Sequence, residues 1–172
     1  MDIQAILSDK NLKAKPKVEV ISKMLLIKKI TVSELIKVAK VSKDKEKGTC
    51  IESLEFATRT KPDIASSSVL DFVTETLANE APRVKWESAK VIGNIAHLFP
   101  TRLDKAICNL LTNSENSGTV VRWSAAFALG EIVKLKTKRN KDLIPVIEAI
   151  IKRDEDNAIK KIYQKALMKV TA

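Results

Sequence analysis

Three stretches of the chain carry the same stripe of apolar positions. Ala65, Ser68, Val69, Phe72 and Val73 follow the spacing i, i+3, i+4, i+7, i+8. Leu103, Ala106, Ile107, Leu110 and Leu111 repeat it, as do Leu143, Val146, Ile147, Ile150 and Ile151. That spacing places the stripe on one side of an α-helix, wide enough to pack in one direction only. Between these helices lie segments with denser apolar character and more small residues. The clearest pair begins at Val84-Lys85-Trp86 and at Val121-Arg122-Trp123 and runs to Gly93 and Gly130. The offset is constant, since 121 − 84, 123 − 86 and 130 − 93 all give 37. A fixed period in this range marks a stacked-repeat architecture.

The flanking segments fit the same scheme less closely. Residues 1–44 show helical spacing at Ile3, Ile6 and Leu7, then at Val18, Ile21 and Leu25, without the repeat's own sequence. The basic stretch Lys10 to Lys17, with Pro16, reads as a connection. Thr31 and Glu34 form a capping box ahead of the stripe Val32, Leu35, Ile36 and Ala39. These residues are expected to be an atypical N-terminal cap, and 45–172 the recognisable repeats, of one domain spanning 1–172. Ser42 to Gly48 reads as a charged linker. Shifted by 36, Ser53, Phe56 and Ala57 fall on Ala89, Ile92 and Gly93, a weaker copy of the repeat. Thr60 with Asp63 and Thr101 with Asp104 have capping spacing. Pro145, after Asp142, is expected in a first helical turn, where no backbone donor is needed. In the last helix Ile159-Lys160, Ala166 and Leu167 match Val121-Arg122, Ala128 and Leu129 at offset 38, without the Trp or the Gly.

The run Val121-Arg122-x-x-Ala125-Ala126-x-Ala128-Leu129-Gly130 resembles HEAT repeats of the armadillo-type α-solenoid class. The copy at Val84-Lys85 keeps Ala89, Ile92 and Gly93 and has Val91 where Ala128 stands. The resemblance covers about residues 45–172. It implies an all-α fold, a right-handed α-α superhelix of about four to five helix pairs, in which the helices 82–98, 119–136 and 156–170 line the concave face. Ser88, Ala89, Gly93, Ala125, Ala126 and Gly130 then let neighbouring helices approach closely. A weaker likeness links the chain to HEAT-like DNA alkylation repair proteins, which are also small basic solenoids with concave tryptophans. Their catalytic carboxylate has no assignable position here. Glu87 beside Trp86 is the nearest candidate, and Trp123 is followed by Ser124 instead.

Composition supports helices. The chain is 45% hydrophobic but only 4% aromatic, so its core is aliphatic, and four glycines and five prolines are few for a sheet with tight turns. The formal charge of +10 is unevenly spread. Residues 1–48 carry 12 basic and 6 acidic groups, 49–117 carry 7 and 9, and 118–172 carry 12 and 6. A continuous basic groove for a duplex is therefore not evident through the centre. Binding to nucleic acid is expected to be weak and nonspecific, with dissociation constants on the order of 10⁻⁴–10⁻⁶ M.

Cys50 and Cys108 lie in helical patterns without metal-ligand spacing, and read as free, mostly buried thiols of a reducing compartment. The opening Met1-Asp2-Ile3-Gln4 lacks a basic leader, and no run of about 18 apolar residues exists. A cytoplasmic location is expected, with the nucleus as the other compartment, and no membrane contact.

Candidate chemistry is sparse. Trp86 and Trp123 admit two readings: wedges between repeats, or a stacking platform one repeat apart on the concave face. The wedge is favoured because large amphipathic aromatics usually anchor packing. Arg83, Lys85, Lys90 and Arg122 are solvated or paired charges, with Arg122 reaching an acid of the next repeat, or else contacts to a carboxylate or phosphate. The run Lys134 to Lys141 reads as a solvated loop. His97, the only histidine, has only Asn94 and Thr101 at helical spacing and reads as a surface residue. No phosphate loop, zinc cluster or Ser-His-Asp set can be built, so no catalytic residue, cofactor or metal is expected, nor a small-molecule substrate. The reading is a non-enzymatic protein-binding or scaffold module with Arg83, Lys85, Trp86, Glu87, Lys90, Arg122 and Trp123 as candidate concave-face residues. Its partner would be a protein or peptide segment. The alternative is a nucleic-acid-binding relative of the alkylation repair proteins.

Overall fold

The computed structural model describes residues 2–171. Met1 and Ala172, the ends of the expected domain, lie outside the described residues. The described residues form five helix pairs: α1 (Ile3–Ser8) with α2 (Ala14–Leu26), α3 (Val32–Val41) with α4 (Asp44–Thr60), α5 (Ser67–Thr76) with α6 (Pro82–Ile95), α7 (Asp104–Asn113) with α8 (Thr119–Val133), and α9 (Asn140–Arg153) with α10 (Asn157–Thr171). Short 3₁₀ turns follow α4 and α6. There is no strand among the described residues.

The pairs stack into two layers. The even-numbered helices pack side by side in the order α2, α4, α6, α8, α10, while the odd-numbered helices form a looser outer layer. Small residues explain the difference. Ala89, Ala125, Ala126 and Ala128 are fully buried in α6 and α8, so these backbones approach closely, whereas α5, α7 and α9 bury mainly larger side chains such as Phe72, Val73, Leu110, Leu143 and Ile147. Core continuity follows from the repeat: Val84, Ile92 and Ile95 of α6 recur as Val121, Leu129 and Ile132 of α8, and all six are buried.

The repeat glycines are close-approach positions. A Cβ on Gly93 would lie 2.8 Å from Cδ1 of Phe127, so the ring rests against the α6 backbone only because no side chain is there. A Cβ on Gly130 would lie 3.2 Å from Cβ of Ala166 on α10. Gly130→Leu is expected to destabilise the fold by about 1–3 kcal/mol through overpacking at that crossing. Urea denaturation measures it; an unchanged midpoint would show that α8 and α10 have room to separate.

Side chains also stitch successive repeats. Asn109 and Asn113 of α7 donate to the carbonyls of Thr74 (2.9 Å) and Leu77 (3.1 Å) at the end of α5. Asn94 of α6 donates to the Glu55 carbonyl of α4 (3.2 Å). The two α5 carbonyls, which the helix end leaves unpaired, thereby find partners one repeat away. The capping box at Thr31 is present in full, with Glu34 N donating to Thr31 Oγ1 (3.1 Å) and Thr31 N to Glu34 Oε2 (2.6 Å).

Several sequence expectations need correction. The expected linker Ser42 to Gly48 is mostly helix: α4 begins at Asp44, and Gly48 is buried beneath the Arg83 side chain. The expected connection Lys10 to Lys17 ends early, because α2 begins at Ala14 and takes Pro16 into its first turn. Thr60 does not cap α5. It ends α4, where its hydroxyl donates to the Phe56 carbonyl, and Pro62 opens a 3₁₀ turn instead. Thr101 does not cap α7, because a turn from Phe99 to Arg102 carries it away from the helix start. Pro145 sits one turn deeper than expected, since α9 begins at Asn140. The Lys134–Lys141 segment is not wholly solvated. Arg139 forms an ion pair with Asp104 and donates to the carbonyls of Pro100 (2.8 Å) and Thr101 (3.0 Å), clasping α9 to the start of α7.

Candidate functional site

The outward face of the even-numbered layer is made of four parallel rows. Each row follows i, i+4 spacing, so its members stand one turn apart on the same side of a helix. On α4 the row contains Glu52 and Phe56, with Arg59 beside them. On α6 it is Trp86, Lys90 and Asn94. On α8 it is Trp123, Phe127 and Glu131. On α10 it is Lys161, Lys165 and Lys169. Every one of these residues is half-buried or exposed.

Two tryptophans anchor the centre in different ways. Trp123 is 40% exposed and stacks on Phe127, with ring centroids 6.2 Å apart and planes 9° from parallel. Phe127 is in turn seated on Gly93. Gly93 thus holds open the slot for an aromatic shelf built by the next repeat. Trp86 is half-buried, and its indole N–H donates to Glu87 Oε1 of its own helix (2.7 Å). Phe56 is 39% exposed, with the Arg59 guanidinium 5.0 Å from its ring centroid. Phe56 and Phe127 were not among the sequence candidates. The register explains the first: Phe56 occupies the outward-facing, half-buried position of Lys90, not the buried position of Ile92 on which the shift of 36 places it. The second was legible, because Phe127 lies four residues after Trp123.

Charged groups between α4 and α6 form a closed network. Arg83 pairs with Glu52. Lys90 bridges Glu87 (2.9 Å) and Glu55 (3.5 Å), whose side chains are each only 6% exposed, and Arg59 reaches Glu55 from the same helix (3.7 Å). Burial raises the Glu87 carboxyl above the usual range. The Lys90 ammonium and the Trp86 indole oppose that shift, and Glu52 adds to it. Of the seven candidates, Arg83, Trp86, Glu87 and Lys90 are brought together here, with Trp123 on the adjacent helix. Lys85 and Arg122 turn to the loop end of the layer instead. Lys85 Nζ lies 3.4 Å from Asn113 Oδ1. Arg122 pairs with Asp154 of the next repeat (3.0 Å) and donates to the carbonyls of Asn116 (3.0 Å) and Ser117 (3.3 Å).

Other chemistry is thin. Cys50 is buried and its thiol is pushed up to about 12 by burial, with Glu46 adding to the shift. Cys108 is free but exposed, which corrects the expectation of burial: it lies on the outer side of α7, off the apolar stripe. His97 is exposed in the 3₁₀ turn after α6. Among the described residues no group of His, Cys, Asp or Glu is arranged to hold a metal ion, and no helix is long and apolar enough to cross a membrane.

No protein-family model and no curated protein matches the sequence. Solved structures do match along nearly the whole chain. A designed armadillo repeat protein in complex with peptide (KR)4 superposes with a TM-score of 0.74 at 15% identity, covering 98% of this chain and 80% of that one. A computationally designed armadillo repeat protein for modular peptide recognition gives 0.74 at 16% identity, covering 97% and 80%. The complex of CpcE and CpcF of phycocyanin lyase from Nostoc sp. PCC7120 gives 0.70 at 19% identity, covering 96% and 97%. Identities this low speak for architecture alone. With five stacked helix pairs and close-packed even-numbered helices, the chain has the all-α fold of armadillo- and HEAT-type solenoids.

Proposed function

We propose that the chain is a non-enzymatic binding module that holds a segment of another polypeptide on the face of its even-numbered helices, the concave side of the solenoid. The observation that carries this reading is the Trp123–Phe127 shelf. A tryptophan 40% exposed and stacked flat on a second aromatic presents a rigid apolar surface without internal cover. Such anchors, large in area and poor in rotamer entropy, dominate binding energies. The shelf lies between the Phe56–Trp86 region and the groove towards α10, so an extended segment can cross several helices. The structural neighbours support the same class of partner, two as designed peptide-recognition solenoids and one as a complex of two chains.

Two observations favour a polypeptide over nucleic acid and over catalysis. Lys90 and Arg83, the cations at the centre of the face, are held by Glu87, Glu55 and Glu52 and offer little charge to a phosphate backbone. Glu87 accepts from both Trp86 and Lys90, so its two oxygens are committed to positioning neighbours. The free thiols of Cys50 and Cys108 fit the reducing conditions of the cytoplasm.

Peptides selected on the protein from a random display library provide the test. Trp123→Ala is expected to weaken their binding by about tenfold or more while leaving the thermal midpoint nearly unchanged, since the residue is a surface anchor. Equal affinity for the wild type and the variant would remove the shelf from the binding face.

A further inference from the structure

We propose that the segment bound by this face is acidic: a bulky apolar residue seated between α8 and α10, with Asp or Glu about three residues away held by Lys165 and Lys169. This rests on the reading of the even-numbered layer as a peptide-binding face, and adds the ligand's chemistry and its place.

The α10 row is the starting point. Lys161, Lys165 and Lys169 stand where α8 has Trp123, Phe127 and Glu131, since 161 − 123, 165 − 127 and 169 − 131 all give 38. The last repeat therefore replaces an aromatic shelf by three cations one turn apart. Like charges at i, i+4 repel and weaken the helix that carries them. Elsewhere on the face each cation has its carboxylate: Arg83 has Glu52, Lys90 has Glu87 and Glu55, Arg59 has Glu55, and Lys134 has Glu131. Among the described residues, Lys161, Lys165 and Lys169 have no ion pair, and all three are exposed. Glu131, the one carboxylate among the described residues that lines the groove beside this row, is taken by Lys134, so the row fits a carboxylate-bearing partner.

The groove beside the row sets the second requirement. Phe127, Gly130, Ile162, Ala166 and Met168 line a depression of about 530 Å³ between α8 and α10, with the Glu131–Lys134 pair on its α8 rim and Lys165 and Lys169 on its α10 rim. Its surface is mainly apolar, and Gly130 keeps the floor open where a side chain would rise. A phosphate backbone gains nothing from such a floor, whereas a Leu or Phe side chain buries against it. Adjacent helices lie about 8–10 Å apart, and an extended chain rises about 3.3 Å per residue. An anchor against Phe127, the α8 wall of this groove, thus places a carboxylate about three residues on at the α10 lysines.

The test uses display-selected peptides from a random library, assayed by fluorescence anisotropy across about 50–300 mM salt. The selected sequences are expected to combine an apolar residue with Asp or Glu. Their affinity should fall with salt, and should drop about tenfold or more in Lys165→Glu/Lys169→Glu, whose sites are too exposed to affect folding. Peptides with Lys in place of the acids should bind the reversed variant better than the wild type. Peptides that depend on Trp123 but are basic, or are indifferent to the lysine reversal, would overturn this inference and leave the binding face standing; the α10 row would then be a solvated end of the solenoid. Failure to select any peptide would overturn both. Binding of a single-stranded or duplex oligonucleotide more tightly than any peptide, and loss of that binding in the reversed variant, would assign the lysines to nucleic acid instead.

Discussion

Lys90→Met is expected to lower the stability of the fold by about 3–5 kcal/mol, the range for removing one partner from a buried ionic cluster. Two features place it there. The carboxylates of Glu55 and Glu87 come from different helices, and each side chain is only 6% exposed. Lys90 is the group between them, so its loss leaves the desolvated Glu87 without a cation and Glu55 with only the more distant Arg59. The variant keeps the length and apolar stem of the lysine, so packing changes little.

The pH dependence identifies the cause. A carboxyl raised above its usual range by burial, as Glu87 is, binds protons more readily in the folded than in the unfolded chain. Its contribution to stability therefore falls as pH rises from the ordinary carboxylate value towards the raised one. Without Lys90, which opposes the shift, this effect strengthens. The deficit of the variant should be smaller near about pH 5 than near about pH 8, by urea denaturation at each. A deficit that is the same at both, or below about 0.5 kcal/mol, would show that water reaches the two carboxylates.

Arg122→Ala is expected to cost about 2–4 kcal/mol. The Asp154 side chain is only 3% exposed and ends α9, while Arg122 comes from α8. The guanidinium satisfies that carboxylate and two carbonyls of the loop between α7 and α8 together. Removing it leaves a buried charge close to Tyr163, whose hydroxyl is buried without a partner and whose pKa is raised, chiefly by burial and then by Asp154. Arg122→Lys should recover only part of the loss, because a point charge cannot span three acceptors. Denaturant midpoints of the two variants decide it. If alanine and lysine behave alike, the fork geometry is unimportant at this position.

The solenoid was legible because a repeat writes its packing into the sequence at a fixed period. The small residues and glycines of α6 and α8 recur 37 positions apart, and the stripes of α5, α7 and α9 share one spacing. The reason for each glycine was less legible. Gly93 serves Phe127, a residue of the following repeat, and that contact exists only after the helices have stacked. Register failed where it rested on small residues alone: Ser53 and Ala57 are buried, but aligning them on α6 put the exposed Phe56 at a core position. Arg139 was hidden among lysines, since its partners Pro100, Thr101 and Asp104 lie more than thirty residues away and the run itself reads as solvated charge. Trp86 and Trp123 stand out in the sequence by their shared repeat position, and Glu87 and Lys90 only as charged neighbours on the same helix. Their partners Glu52 and Glu55 come from α4, the copy whose register was misread.

The contrast between the two layers has a mechanical consequence. A stack that is dense on one side and sparse on the other bends like a hinged strip. The hinge line follows α4, α6 and α8, where the alanines are buried, and deformation is taken up on the other side. Between α7 and α9 the outer surface opens into a depression of about 260 Å³ walled by Ile107, Leu111, Leu143 and Val146, and the Arg139–Asp104 clasp spans its end. Widening that gap curls the last two repeats further around the even-numbered face and narrowing it straightens them, at the expense of few apolar contacts. Curvature at this end is thus the soft coordinate of the molecule, and Arg139 is the strut that limits its travel.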